Sequence, residues 1–247
     1  MPDWLTGTVT ANRQWTERLF SLRFSAPMDS FKAGQFVRIA LDIDGDTVAR
    51  PYSLVNAPGE SEFEIFFNIV DEGPLTPRLA LMKPGDTIRV ADRPYGFLTI
   101  DEVPESRHLW MIATGTGVGP FISIMKSGDA WRRFEKVVLV YSVRTATELA
   151  YQDEIAKAQT LHDEQLSFLP LVTREPLEGA INMRVTAAIE SGELEKQAGI
   201  TMNAQDSHVM MCGNSAMIAD VTELLKSRDM RKHLRREPGH ITTEIYH

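Results

Sequence analysis

Short apolar runs separated by turn residues fill the N-terminal part of the chain. Turn-forming Gly, Pro and Asp residues near positions 34, 45, 59 and 85 interrupt these runs. Short strands with turns of this kind are typical of an antiparallel sandwich or small barrel. The predicted strands lie at residues 7–10, 19–24, 35–41 and 63–70.

The pattern changes after residue 105, where apolar runs begin to alternate with helix-like stretches. Continuous apolar strands between helices indicate a parallel sheet that is covered on both faces. A helical stripe of apolar residues also follows Asn214, which is a suitable N-cap. With residues 101–105 as a linker, we predict a β domain over residues 1–103 and an α/β domain over residues 104–247. The predicted parallel strands lie at residues 109–113, 137–141, 168–172 and 209–212.

The composition narrows the class of protein and its compartment. The 247 residues are 43% hydrophobic and 24% charged, as in a soluble globular protein. The apolar runs are shorter than the ~18 residues of a membrane helix, and the N-terminus lacks the features of a secretory signal. The single cysteine, Cys212, excludes an internal disulfide and a cysteine-ligated iron–sulfur cluster. We therefore expect a cytoplasmic protein that does not enter a membrane.

Charge is unevenly distributed along the chain. The net charge of −8 argues against a general nucleic-acid binder. The segment 224–240 is nonetheless basic, and it either docks an acidic partner protein or forms a solvated helix surface. The six histidines lack the spacing of metal ligands, so we predict no metal site. The cations of the basic segment are Lys226, Arg228, Arg231, Lys232, Arg235 and Arg236.

Two short motifs carry the candidate chemistry. Arg50 and Tyr52 would share one face of an extended strand, and a cation beside an aromatic ring suits a ligand with a phosphate and a flat ring. Residues 115–120 follow a predicted strand and contain three glycines, which let a backbone approach a phosphate closely. Pro120 suits the first turn of the helix that follows. Together the motifs indicate a flavin nucleotide in one half of the chain and a second nucleotide in the other.

The first motif, Arg-Pro-Tyr-Ser at residues 50–53, resembles the Arg-x-Tyr-Ser flavin motif of the ferredoxin–NADP reductase family. The resemblance implies that Arg50 neutralises the flavin pyrophosphate and that Tyr52 stacks on the isoalloxazine. It also implies that Ser53 forms a hydrogen bond near flavin N5.

Two further segments match the family in the same order. Gly73, Leu75 and Thr76 lie in a segment that resembles the family's Gly-x-x-Ser/Thr segment, whose backbone amides hold the FAD pyrophosphate; taken alone, it is a turn with Thr76 as a helix N-cap. Residues 115–120 resemble the family's Gly-x-Gly-x-x-Pro loop, which binds the NADP pyrophosphate and places Thr116 close to the flavin. The loop residues implied in NADP binding are Gly115, Gly117, Val118, Gly119 and Pro120.

Three arginines bear on the choice between NADP and NAD. Arg144 and Arg174 end predicted strands, where ligands bind in α/β domains, and Arg184 follows further along the chain. A guanidinium group pairs well with the 2′-phosphate that distinguishes NADP from NAD. Bacterial members of the family carry three such arginines around this phosphate, so the resemblance favours NADP.

The C-terminal part completes the resemblance. Residues 212–214 resemble the family's Cys-Gly-x segment beside the nicotinamide, and Glu244 and Tyr246 resemble its terminal Glu-x-Tyr. The resemblance implies that the Tyr246 ring covers the flavin and that Glu244 relays a proton or tunes polarity. Members that end in Tyr-Trp place the last ring near the FAD adenine, and His247 holds that position here. The residues implied in the nicotinamide pocket are Cys212, Gly213 and Asn214.

The ordered motifs imply an FAD-dependent reductase that transfers hydride between NADPH and flavin, then single electrons to or from an acidic ferredoxin or flavodoxin. The implied fold is a six-stranded antiparallel Greek-key β-barrel for FAD and a parallel-sheet α/β domain for NADP(H). The C-terminal tail of the second domain is expected to return to the flavin, and the protein is expected to be a monomer. The alternatives are a free flavin or ferric-chelate reductase and a flavin-bound redox sensor without NADPH turnover. The expected catalytic residues are Ser53, Cys212, Glu244 and Tyr246.

Overall fold

The computed structural model describes residues 3–246, which form two sheets with separate hydrophobic cores. His247, the residue predicted near the adenine, lies outside the described residues. The N-terminal sheet consists of β1 (Trp4–Gln14), β2 (Leu19–Ser25), β3 (Phe36–Ile43), β4 (Asp46–Ser53), β5 (Phe63–Asn68) and β6 (Thr87–Ala91), with helix α1 (Thr76–Leu81) before β6.

The N-terminal strands are antiparallel and lie in the order β4-β3-β6-β1-β2-β5. The sheet curls on itself, because the edge strands approach each other where Leu54 pairs with Ile65. There the Val55 N–H donates to the Glu64 carbonyl at 2.9 Å. Apolar side chains such as Leu22 fill the interior of the curl. The curled six-stranded sheet confirms the fold predicted for the N-terminal half.

The sequence analysis predicted only the extended segment of β4 around Arg50 and Tyr52, and it did not predict β6. β4 is half-buried or exposed along most of its length, so it lacks the apolar run that marks a strand in the sequence. Pro51 lies within it, and an edge strand tolerates proline because its missing N–H is not needed for a second ladder. β6 has five residues, too few to establish a period.

The C-terminal sheet is parallel, in the order β11-β10-β7-β8-β9. One hydrophobic core lies on each face, and alternate residues of β7 enter them, Met111 on one side and Trp110 on the other. These features confirm the parallel sheet covered by helices. The strands are β7 (His108–Thr114), β8 (Lys136–Val143), β9 (Leu166–Val172), β10 (Ser207–Asn214) and β11 (Ile241–Tyr246), and the helices are α2 (Gly119–Ser127), α3 (Asp129–Arg133), α4 (Gln152–Leu161), α5 (Val185–Glu190), α6 (Glu193–Ala198) and α7 (Ser215–Lys226).

Two C-terminal details refine the predictions. The Asn214 side chain accepts a hydrogen bond from the Met217 N–H at 3.1 Å, which confirms Asn214 as the N-cap of α7. The predicted tail is a fifth strand, β11, which pairs with β10 at the edge of the sheet.

The connection between the two sheets, residues 92–107, is held by the second domain. The Arg133 guanidinium at the end of α3 donates to the carbonyls of Ile100, Val103 and Pro104. The domain boundary that we place after Val103 falls within this connection and stays a prediction.

The basic segment is not one helix. α7 ends at Lys226, and the rest of the segment is irregular until β11. Arg228 pairs with Glu195, and Arg235 pairs with Glu102. The interpretation as a helix surface is therefore wrong beyond Lys226, whereas five of the six cations are exposed to solvent.

Among residues 3–246, no helix combines the length and the apolar character needed to cross a membrane. The same residues contain no group of three or more His, Cys, Asp or Glu side chains placed to hold a metal ion.

Candidate functional site

The site lies where the order of the parallel sheet reverses, between β7 and β10. Ligands of open α/β sheets bind at the carboxyl ends of the strands beside such a switch point. Here the chain leaves β7 in a 3₁₀ turn, Gly115–Val118, and enters α2. A Cβ atom on Gly117 would lie 2.3 Å from the Cys212 carbonyl oxygen, so only glycine lets the turn pass this close to β10.

The end of β10 fits against β7 in the same way. Gly213 has a φ of +126°, and a Cβ atom there would lie 2.3 Å from Oγ1 of Thr114. The Asn214 N–H donates to that same oxygen at 2.8 Å. The two strand ends are therefore interlocked, and Thr114 is a site residue that the sequence analysis missed.

The turn leaves room for a ligand on its outer side. Gly115 has a φ of +54°, and no atom lies within 4 Å of the place where its Cβ would stand. Val118, Gly119 and Pro120 are buried, and proline in the first turn leaves no orphaned N–H. The Gly119 N–H donates to the Thr116 carbonyl and Pro120 has no N–H, so a phosphate would approach the backbone in the open space beside Gly115. Thr116, between these residues, is half-buried.

Ser53, Glu244 and Tyr246 meet in one hydrogen-bonded chain across the two domains. The Tyr246 hydroxyl donates to Ser53 Oγ at 2.6 Å, and Ser53 Oγ donates to Glu244 Oε1 at 2.6 Å. The register of β10 and β11 pairs Cys212 with Glu244 and Asn214 with Tyr246. Period-two alternation puts these four side chains on one face of the sheet. The four predicted catalytic residues thus lie in one cluster.

Burial changes the acidity of this cluster. Burial raises the pKa of Glu244 to about 7, although its hydrogen bond from Ser53 acts in the opposite direction. Burial and the Glu244 charge raise the pKa of the Cys212 thiol. Burial likewise raises the pKa of Tyr246. Cys212 is thus a neutral, fully buried thiol, and Glu244 is the group that exchanges a proton near neutral pH.

Arg50 and Tyr52 lie on β4, directly before Ser53. The Tyr52 hydroxyl is buried, and within residues 3–246 it has no hydrogen-bond partner. The Arg50 guanidinium is exposed and donates to the carbonyl of the neighbouring Ala49 at 2.8 Å. Burial raises the pKa of Tyr52, and the Arg50 charge acts in the opposite direction.

The segment before α1 differs from the simple expectation. Leu75 is the N-cap residue, and Thr76 is the first helical residue, so the interpretation of Thr76 as the N-cap is wrong. The buried Thr76 hydroxyl accepts a hydrogen bond from the Val70 N–H at 2.8 Å, and the Gly73 N–H donates to the Val70 carbonyl at 2.9 Å. The segment is a closed turn, and the FAD roles of Gly73, Leu75 and Thr76 stay predictions.

Two of the three arginines, Arg144 and Arg174, are neighbours at the carboxyl edge of the sheet. The Arg174 N–H donates to the Arg144 carbonyl at 2.9 Å, because both residues follow neighbouring strands. Arg184 is the N-cap residue of α5 at the same edge. The Arg144 guanidinium binds Glu148, with Nη2 and Oε1 2.6 Å apart. The sequence analysis missed Glu148, although its four-residue spacing from Arg144 was a signal.

Comparisons with known proteins identify the family of this chain. The family models of an oxidoreductase FAD-binding domain and an oxidoreductase NAD-binding domain match residues 8–98 and 111–223. A flavodoxin/ferredoxin–NADP reductase from Escherichia coli strain K12 is 46% identical over 247 residues, covering 100% of both chains. This chain belongs to the flavodoxin/ferredoxin–NADP reductase family. A ferredoxin–NADP reductase from Pseudomonas aeruginosa is 37% identical to this reductase. The match covers 97% of the chain described here and 96% of the Pseudomonas protein.

A solved structure is similar to the whole reductase. A ferredoxin NADP⁺ reductase from Neisseria gonorrhoeae, crystallised with bound FAD and NADP, is 28% identical with a TM-score of 0.93, covering 99% of both chains. The reductase is therefore an oxidoreductase with an FAD-binding domain and an NADP(H)-binding domain.

The close contact at Gly117 makes a stability prediction. In Gly117→Ala the new methyl group must displace the Cys212 backbone, and we expect a loss of about 1–3 kcal/mol in the free energy of unfolding. Gly119→Ala is the control, because Gly119 has a φ of −48° and its Cβ position is 3.3 Å from Cγ2 at the end of the Val55 side chain rather than against backbone. Chemical denaturation of the reductase should show a smaller loss for the control, and equal losses would contradict the steric argument.

The buried Glu244 makes a prediction about pH. Folding raises the pKa of Glu244 from 4.5 to about 7, so the associated stability is present below pH 4.5 and is lost as the pH rises through about 7. We expect Glu244→Gln to remove this loss. Denaturation of the FAD-free reductase between about pH 5 and about pH 8 should show the wild type losing stability relative to the variant. Parallel pH profiles of the two proteins would contradict the prediction.

Proposed function

We propose that the reductase transfers hydride between NADPH and FAD and then passes single electrons to or from a ferredoxin or flavodoxin. The observation that carries the proposal is the cluster of Ser53, Cys212, Glu244 and Tyr246. It brings the end of the flavin motif to the carboxyl end of β10, where the nicotinamide is expected. The names of the similar proteins support the same activity.

Features of the barrel fit a flavin nucleotide. The orphaned Tyr52 hydroxyl and the exposed Arg50 guanidinium flank a surface that would take a ring and a phosphate. We propose that Tyr52 stacks on the isoalloxazine, that Arg50 neutralises the pyrophosphate and that Ser53 binds near N5. Bound FAD accepts a hydride and releases electrons one at a time, and the protein supplies position and electrostatics.

Features of the α/β domain fit NADP(H). The open space beside Gly115 and the start of α2 would receive the pyrophosphate, while Arg144, Arg174 and Arg184 would surround the 2′-phosphate. Cys212 would shape the nicotinamide pocket as a neutral side chain.

The two remaining cluster residues act on access and on protons. To admit the nicotinamide, the Tyr246 ring must move away from Ser53, because the Tyr246 hydroxyl is hydrogen-bonded to Ser53 Oγ. Glu244, with a pKa of about 7, can hold a proton at Oε1 and return it through Ser53 Oγ, 2.6 Å away.

The preference for NADPH over NADH, and its dependence on Arg174, test the proposed cofactor roles. The purified protein should be yellow, and anaerobic NADPH should bleach it at lower concentration than NADH. Arg174→Ala should raise the Kd of NADPH about 10–100-fold and leave that of NADH unchanged, because one charge-assisted contact with the 2′-phosphate is lost. Arg107→Ala is the control, since Arg107 pairs with Glu135 at the amino end of the same sheet. A colourless protein that does not take up FAD would overturn the proposal.

The docking surface is narrower than the basic segment. Arg235 stacks on the ring of Phe97, with the guanidinium carbon 4.2 Å from the ring centre, and Phe97 is 60% exposed. Gly96 joins this surface to the cluster, because a Cβ atom there would lie 3.3 Å from Glu244 Oε2. Exposed aromatic rings beside arginine side chains suit an acidic partner that must come close to the flavin. We define the docking patch as Tyr95, Phe97, Leu234, Arg235 and Arg236, all exposed.

A charge reversal tests this patch. Arg236→Glu should raise the KM for ferredoxin about tenfold at low salt, and the effect should shrink as salt screens the charges. Lys157→Glu, on the exposed face of α4, is the matched control and should leave this KM unchanged. A reductase that reduces free flavin or ferric chelates, with no salt-dependent reduction of ferredoxin, would favour the alternative without a protein partner.

The compartment and the oligomeric state also remain proposals. The single cysteine is buried and free, which suits the reducing cytoplasm. We propose a cytoplasmic monomer.

A further inference from the structure

A buried hydrogen bond joins the two domains away from the site. The Tyr151 hydroxyl, before α4 in the NADP(H)-binding domain, donates to Oε1 of Glu64 on β5 at 2.6 Å. Both residues are buried, at 2% and 5% exposure. Nε of Arg23 donates to the other carboxylate oxygen of Glu64 at 3.0 Å, so the charge is paired and the carboxylate is held from both sides.

A second polar contact crosses the same interface. The Ser123 hydroxyl on α2 donates to the Asn56 carbonyl at 2.7 Å. The Asn56 side chain in turn accepts from the Glu64 N–H at 2.9 Å. Glu64 and Asn56 therefore form one unit of the barrel, to which α2 and the start of α4 are both attached.

The Tyr151 side chain is locked in place. Its backbone is left-handed, with φ +59° and ψ +27°, a conformation that residues with side chains rarely adopt. Its ring packs against Trp15 and Phe66 of the barrel, with ring centres 4.9 and 5.0 Å apart. Strained backbone of this kind persists where the surroundings fix it and where position matters.

This unit is connected to both halves of the proposed site. The Glu64 carbonyl accepts from the Val55 N–H at 2.9 Å, and Val55 lies two residues after Ser53. A Cβ atom on Gly119 would lie 3.3 Å from Cγ2 of Val55, so the start of α2 rests on the same segment. A shift at Glu64 would change the distance between Ser53 and the loop that leads into α2.

We propose that Tyr151 and Glu64 are positioning residues, whose hydrogen bond sets the separation of the two domains and with it the approach of the nicotinamide to the flavin. The inference rests on the proposed function. It differs from a role in nucleotide affinity, because the arginines and the loop at residues 115–120 all belong to one domain.

Tyr151→Phe removes the hydroxyl and keeps the ring, and Glu64 keeps its pairing with Arg23. In the holoenzyme we expect the limiting rate of flavin reduction by saturating NADPH, measured by stopped flow, to fall about tenfold, since small misplacements of reacting groups are costly. The Kd of 2′-phospho-AMP, measured by calorimetry, should not change. Tyr141→Phe is the matched control, because the Tyr141 hydroxyl is also buried but donates to the Glu148 carbonyl of its own domain at 3.1 Å.

Two variants of Glu64 separate position from stability. Glu64→Gln keeps an acceptor for Tyr151 and should retain most of the limiting rate, whereas Glu64→Leu should lose it as Tyr151→Phe does. The double variant Tyr151→Phe/Glu64→Leu should be no slower than either single variant, because both remove the same bond. Scanning calorimetry of the holoenzyme should show one unfolding transition in the wild type and two in Tyr151→Phe, whose domains are less coupled.

The possible outcomes are distinguishable. A wild type that NADPH does not reduce would overturn the proposed function and this inference with it. A wild type that is reduced, together with a Tyr151→Phe variant of unchanged limiting rate, would overturn the inference alone. A slower variant whose Kd for 2′-phospho-AMP rises in proportion would also overturn it, because the hydroxyl would then act on binding.

Discussion

The contact between residue 117 and the Cys212 carbonyl is the constraint on which the site depends. The turn after β7 can lie against β10 only because residue 117 has no side chain, and Gly213 meets Thr114 under the same restriction. The two strand ends consequently form a crevice whose floor is backbone. A phosphate can then approach the backbone beside Gly115 with no side chain in between, and the positions of neighbouring side chains follow from the strand ends that carry them.

Strand register then gathers residues that are far apart in the sequence. β11 pairs with β10 so that Glu244 stands beside Cys212 and Tyr246 beside Asn214. The barrel contributes Ser53 to the same point through two hydrogen bonds of 2.6 Å. The domains are thus joined by directional polar contacts at the site and again at Glu64, in addition to apolar packing. Directional bonds fix an orientation, which apolar surfaces alone do less well.

The sequence pattern predicted the strands and helices whose apolar residues recur with a clear period. It also identified the motifs that match those of the family in the same order. It could not predict the first half of β4, or β11 as a strand, because these two edge strands are partly exposed and their polar residues hide the period. The fold-back of the basic segment depends on a long-range side-chain contact between Arg235 and Glu102, which composition does not encode. The sequence could not predict the hydrogen bond of Tyr151 for the same reason, since its partner Glu64 is 87 residues away.

β11 is buried more deeply at its start than near its end. β11 has a neighbour on one side only, yet Ile241 is fully buried and Thr242 shares a hydrogen bond of 2.9 Å with His208. Toward its end the strand is looser, and Ile245 is 43% exposed. Local opening of an edge strand costs less free energy than global unfolding. The movement of Tyr246 that we propose therefore requires only local opening of β11, while the rest of the sheet stays paired.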